Sequence, residues 1–121
     1  MHPEPRKLVR VIFDEAHSES WTVSADRARE MQPENPANSS YQRAAELLAA
    51  LDFAVTRNLA EPLEGPTLAG TGVLVLPHPC DPRWERTTSR GSPMLAAREI
   101  AGILAFVRAG GGLLVVTEYE H

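Results

Sequence analysis

The chain has a single cysteine, Cys80, so no internal disulfide framework holds it together. Positive charge is equally scarce. Twelve Lys plus Arg face sixteen Asp plus Glu, for a net charge of -4, and no basic cluster is longer than Arg6-Lys7. A surface that tracks nucleic-acid phosphates needs far more. No apolar run approaches the roughly 20 residues of a membrane-spanning helix, and Met1-His2-Pro3-Glu4-Pro5 lacks the apolar core of a signal peptide. The expectation is a cytoplasmic protein that partners neither nucleic acid nor membrane. A phosphate-cradling GxxxxGK[ST] loop is missing too. Val11-Ile12-Phe13-Asp14-Glu15-Ala16-His17 imitates the acidic box of DEAH helicases, but without that loop it has no nucleotide phosphates to act on.

What is present is the length and apolar content of one globular domain, taken as 1–121. Leu8 to Phe13 is a β-branched run that reads as a first strand, buried on both faces apart from Arg10. Residues 18–38 read as a long polar loop, with Ala25 to Met31 able to hold a turn or two of helix. Ser39 followed by Gln42 reads as a capping box, and Tyr41, Ala44, Ala45, Leu48 and Leu51 then give one apolar helical stripe. Phe53 to Asn58 is a shorter, more polar strand suited to a sheet edge. Pro62, Gly65, Pro66, Gly70 and Gly72 leave room for one helical turn around Thr67 to Ala69.

Gly72 to Leu76 is wholly apolar and reads as a central strand. After it comes a second long loop, 77–92. Ser92 as N-cap with Pro93 behind it opens a helix whose inward face is Ala96, Ile100, Ile103, Leu104 and Val107. Gly110 to Gly112 end that helix, and Leu113 to Val116 form a last strand. Strands alternating with helices in this way predict an α/β fold on a parallel sheet with right-handed crossovers.

Three polar clusters follow three of these strands: Asp14-Glu15-Ala16-His17, His78-Pro79-Cys80-Asp81 and Thr117-Glu118-Tyr119-Glu120-His121. On a parallel sheet they share the carboxyl rim, where open α/β folds bind ligands. The loops 18–38 and 77–92 leave from the same rim, each carrying one tryptophan, Trp21 and Trp84.

The block Ala105 to Val116 (AFVRAGGGLLVV), preceded by Gly72 to Pro77 (GVLVLP), resembles the class I glutamine-amidotransferase-like superfamily. Phe13-Asp14-Glu15-Ala16-His17 and Glu118-Tyr119-Glu120-His121 are most similar to its ThuA-like, GldG-like and DUF4350-like branches. The resemblance implies a flavodoxin-like three-layer sandwich with strand order 2-1-3-4. It also exposes a departure. True amidotransferases carry a nucleophilic Cys between glycines on the elbow after the last strand described above. Thr117-Glu118-Tyr119-Glu120 offers neither Cys nor Gly there, and a carboxylate cannot form the thioester. The family's catalytic His and Glu come from further along, so either a second polypeptide completes the fold or the chain is part of a longer protein.

Two functional readings stand side by side. In the first, the rim binds a small molecule or a protein partner without catalysis, through Asp14, His78, Cys80, Trp21, Trp84, Tyr119 and His121. In the second, Glu15, His17 and Glu118, with His78, perform metal-assisted or acid–base hydrolysis. If a metal is present, His17, His78 and Cys80 are its donors, although no HExxH-type spacing marks a metal site and no cofactor can be named. Cys80 as nucleophile would need a neighbouring base, and its place in a proline-rich turn after the central strand fits an inert, half-buried thiol better. Close acids such as Asp14, Glu15, Glu118 and Glu120 require a countercharge, for which Arg83, Arg86 and Arg90 are candidates. Finally, an apolar last strand would present an open edge, which favours a homo-oligomer or a second polypeptide completing the sheet.

Overall fold

The computed structural model of the chain describes residues 8–17, 22–31, 33–37, 40–77 and 95–116. Four strands, β1 (Arg10–Asp14), β2 (Ala54–Asn58), β3 (Val73–Pro77) and β4 (Gly112–Val116), form one all-parallel sheet in the order β2-β1-β3-β4. The helices are α1 (Ala25–Met31), α2 (Gln42–Ala50), α3 (Gly65–Leu68) and α4 (Ala97–Arg108). This is the expected α/β architecture and strand order.

Side chains alternate across a strand, so each sheet face has its own core. Ile12, Leu74 and Leu76 point to one face and pack with Leu63, Leu68 and Ile103 from the α3 and α4 layer. Val11, Phe13 and Val75 point to the other, against Tyr41 and Leu48 of the α2 layer. The result is three layers. The first strand begins later than its apolar run, because Leu8 and Val9 are exposed, and Val9 contributes only its carbonyl to the Ala54 N–H.

The helix starts differ from expectation. Gln42 is the first residue of α2 and Tyr41 its N-cap, so Gln42 is not in the third-residue position of a capping box, and Ser39 lies outside the described residues. Ser40 does the local work instead: its hydroxyl accepts the Gln42 N–H at 3.2 Å and donates to the Pro36 carbonyl at 2.7 Å. Ser92 and Pro93 also lie outside the described residues, and α4 opens at Ala97, with the Glu99 carboxylate reaching back to the Ala96 N–H at 2.9 Å.

The inward face of α4 differs too. Only Ile103 of the expected stripe is buried; Glu99 is buried with it, and Phe106 packs against the same core. Ala96, Ile100, Leu104 and Val107 are exposed. Two contacts set this rotation. Glu99 is drawn inward by polar partners, and Gly102 rests on the backbone before α3, where a Cβ would come within 2.6 Å of the Leu63 carbonyl oxygen. At about 100° per residue, Ile100, Leu104 and Val107 fall on the flank opposite α3, on the β4 side of the sheet. The helix then ends as expected, at Gly110 with φ +104°.

The layers cover the sheet unevenly. Over the α2 face, none of the described residues covers the β3 and β4 half, and an apolar groove of about 420 Å³ lies between α2 and Val73, Val75, Leu114 and Val116. On α2, Leu47 lines that groove and is 61% exposed. β4 is one edge of the sheet, and it carries no charged residue.

Candidate functional site

A parallel sheet places the ends of β1 and β2 on one rim, in register: Asp14 pairs with Asn58 and Phe13 with Arg57. The polar residues that follow β1 therefore meet the polar end of β2 directly. Asp14, Glu15, His17 and Asn58 are all buried there.

Glu15 is 0% exposed, and such a carboxylate persists only with charge and hydrogen bonds to replace water. Arg57 supplies both, its Nε donating to Oε2 at 2.8 Å and its Nη2 to Oε1 at 2.9 Å. The Val23 N–H adds a third bond at 3.2 Å, tying the segment before α1 to the rim. Asp14 Oδ1 accepts from Asn58 Nδ2 at 3.0 Å and from the Ala16 N–H at 3.3 Å. Asn58 is used up in turn, since it also donates to the Glu61 carbonyl and accepts the Glu61 N–H.

His17 is the centre of the arrangement. It is 3% exposed, with Nδ1 2.7 Å from Asp14 Oδ2 and Nε2 3.2 Å from Glu99 Oε2. Glu99 is held by the backbone as well, through the Ala96 N–H at Oε1 and the Leu63 N–H at Oε2. Ionised carboxylates only accept hydrogen bonds, so both can be satisfied only by an imidazolium, which has two N–H donors. The electrostatics agree. Burial disfavours the charged ring, but the hydrogen bond and charge of Asp14, with the charge of Glu99, outweigh it and hold the His17 pKa above its usual 6.5. Burial likewise opposes the Glu99 anion, and the Ala96 and Leu63 N–H groups with His17 outweigh it, holding Glu99 below its usual 4.5.

These contacts limit the chemistry. A ring nitrogen hydrogen-bonded to a carboxylate has no lone pair for a metal or a substrate proton. Among the described residues no group of three or more His, Cys, Asp or Glu could hold a metal ion. The cleft beside the ring is small, about 160 Å³, and lined by His17, Glu61, Pro62, Arg98 and Glu99.

Of the site residues expected from sequence, Asp14, Glu15 and His17 are brought together. His78, Cys80, Trp21, Trp84, Glu118, Tyr119 and His121 lie outside the described residues, as do Glu120 and the candidate countercharges Arg83, Arg86 and Arg90. The countercharge seen on Glu15 is Arg57, and the second acid on His17 is Glu99; sequence reasoning named neither. A signal existed for both: parallel pairing puts the polar end of β2 beside that of β1, and Glu99 is an acid in the first turn of a helix.

Among the described residues no helix is long and apolar enough to cross a membrane. Compared with family models, with curated proteins and with solved structures, the chain matches none.

Proposed function

We propose that this chain is a noncatalytic interaction module, a diverged member of the amidotransferase-like superfamily it resembles, which binds a polypeptide along β4. The observation that carries this reading is the character of that strand. An edge strand facing water is normally short, charged or covered. β4 is apolar at every residue from Leu113 to Val116, Leu114 is 54% exposed, and Leu113 and Val115 are exposed on the opposite face. It is built like an interior strand. Strand addition to such an edge is a common mode of peptide recognition.

The flanking layers indicate what the partner brings. Strands lie about 4.8 Å apart and a helix is about 10 Å across, so the β3 and β4 half that the described residues leave open on the α2 face is one helix wide. Ala44 and Leu47 give α2 an apolar flank toward that gap. A partner strand beside β4, with an apolar-faced helix in the groove, covers both features. A second copy paired through β4 covers the edge alone, because its own bare half lies against the first. The occupant we favour is therefore a different polypeptide segment carrying a strand and an amphipathic helix. The saturated Asp14–His17–Glu99 network favours this reading over hydrolysis, because His17 has no free nitrogen to act as base.

The test is size-exclusion chromatography with light scattering on protein isolated from its own source, followed by hydrogen exchange on the isolated species. A hetero-complex with slow exchange at Leu113 to Val116 and protection of the Leu47 and Leu114 groove is the expected result. A monomer whose β4 amides exchange freely overturns the reading, and so does a homodimer with an open groove.

A further inference from the structure

The histidine network carries a consequence independent of β4 docking. We propose that His17 is a proton-gated latch: as the imidazolium it bridges Asp14 on β1 and Glu99 on α4, and loss of its proton releases the Glu99 side and with it the N-terminal turn of α4.

The geometry determines which contact opens. A neutral imidazole keeps one N–H, so one of the two acids must face a lone pair. The Asp14 contact is shorter, 2.7 Å against 3.2 Å, and Asp14 is braced by Asn58 and the Ala16 N–H within the same rim. The remaining proton therefore stays on Nδ1, and Nε2 turns a lone pair on Glu99 Oε2. Two acceptors facing each other in a buried site repel, with little water to screen them. Glu99 is the movable partner because it sits in the first turn of α4, near the start of the helix.

Glu99 is also where three elements are joined. It binds His17, the Leu63 N–H before α3 and the Ala96 N–H at the helix start. Displacing it loosens all three. Facing the ring and its cleft from the described elements are Asp14, Glu99, Glu61 and Arg98, and Arg98 itself pairs with Glu64 at 3.4 Å. The surroundings are acidic on balance, so they favour the proton and keep the latch closed to a higher pH than a free imidazole would. A latch that opens as pH rises through the ring's raised pKa is the outcome.

The experiment is an NMR titration of the ¹⁵N-labelled chain, following the two His17 ring nitrogens together with hydrogen exchange at the Leu63 and Ala96 amides. Below the transition both nitrogens are protonated. Above it only Nδ1 carries a proton, and the two amides lose protection by about tenfold, beyond the ordinary rise with pH, for each unit by which the folded ring's pKa exceeds the free value. Glu99→Gln removes the pH effect: an amide NH2 at the Oε2 position can donate to the neutral ring but cannot accept the Leu63 N–H, so the Leu63 amide is less protected at every pH and neither amide changes further as the ring titrates. The proposal is overturned if the wild-type ring is neutral at pH 6, if the surviving proton is on Nε2, or if the ring titrates with no change at Leu63 and Ala96. Since the wild-type readouts alone decide these points, a Glu99→Gln protein that failed to fold would not shelter it.

Discussion

Arg57 grips Glu15 with two parallel hydrogen bonds, 2.8 and 2.9 Å, from a side chain about one-third exposed to one with no exposure at all. That asymmetry makes the pair unequal under mutation. Removing the arginine strands a buried carboxylate, whereas removing the carboxylate leaves an arginine that water can reach.

Arg57→Ala should therefore destabilise the fold by about 3 kcal/mol, the lower end for breaking a buried ion pair, because water gains some access to Glu15 once the arginine is gone. Adding Glu15→Gln to Arg57→Ala should recover part of the loss, since a neutral amide is cheaper to bury than a charge. Urea unfolding of the two variants checks this. Equal stability of Arg57→Ala and wild type would show that Glu15 is not held as described.

Stability should fall on both sides of a mildly acidic window. The folded pKa of His17 lies above its usual 6.5, so its contribution is complete below that value and is lost as pH rises through the folded pKa. Glu99 has a folded pKa below its usual 4.5, so its contribution is complete above that value and is lost as pH falls through the folded pKa. Thermal melts should place the highest Tm between 4.5 and 6.5, with a decline on the alkaline side that His17→Gln flattens. An alkaline decline unchanged in His17→Gln would assign it to another group.

The parallel α/β class was legible because its signals are local and redundant: three apolar runs, one more polar strand, and helices between them; the strand order was implied by the family resemblance and is the order observed. Val73 to Pro77 is central as its composition implies, and Ala54 to Asn58 is an edge. The inward face of α4 was not legible. Periodicity put Ile100, Leu104 and Val107 inside, yet a buried acid and a glycine contact turn the helix so that they face outward. Hydrophobic pattern finds the apolar side of a helix, but α4 has two such flanks and only long-range partners choose between them. The site shows the same divide. Asp14, Glu15 and His17 could be placed on the rim from their position after a strand. Arg57 and Glu99 are 42 residues beyond Glu15 and 82 beyond His17, and their partnership depends on tertiary geometry.

Gly102 offers a test in which two effects have opposite sign. In an exposed helix interior, Gly→Ala gains about 1 kcal/mol from propensity. Here the added Cβ would sit 2.6 Å from the Leu63 carbonyl oxygen and 3.1 Å from the Glu64 Cα, both backbone atoms that cannot rotate away. Overpacking of that kind costs roughly 1–3 kcal/mol. Because the same movement would strain the bond from the Leu63 N–H to Glu99, the clash should win, and Gly102→Ala should lower stability by about 1–2 kcal/mol in denaturant unfolding. A stabilised variant would mean that α4 does not rest on the chain before α3.

The β4 edge separates stability from association. Leu114 is half exposed in the isolated chain, so Leu114→Lys removes little packing, and its effect on folding should stay within about 0.5 kcal/mol, as for other surface changes. In a complex that covers β4 the same lysine would be buried opposite apolar surface with no described acid on that strand to pair with. An unpaired buried charge costs several kcal/mol, so partner affinity should fall at least about 100-fold. Paired measurements distinguish the cases: a thermal melt of the purified variant, and its co-elution with the partner relative to wild type. An unchanged melt with lost co-elution is the expected outcome. A melt lowered by many degrees would mean that Leu114 is already packed within the chain, and intact co-elution would place the partner elsewhere; either result removes β4 as the binding edge.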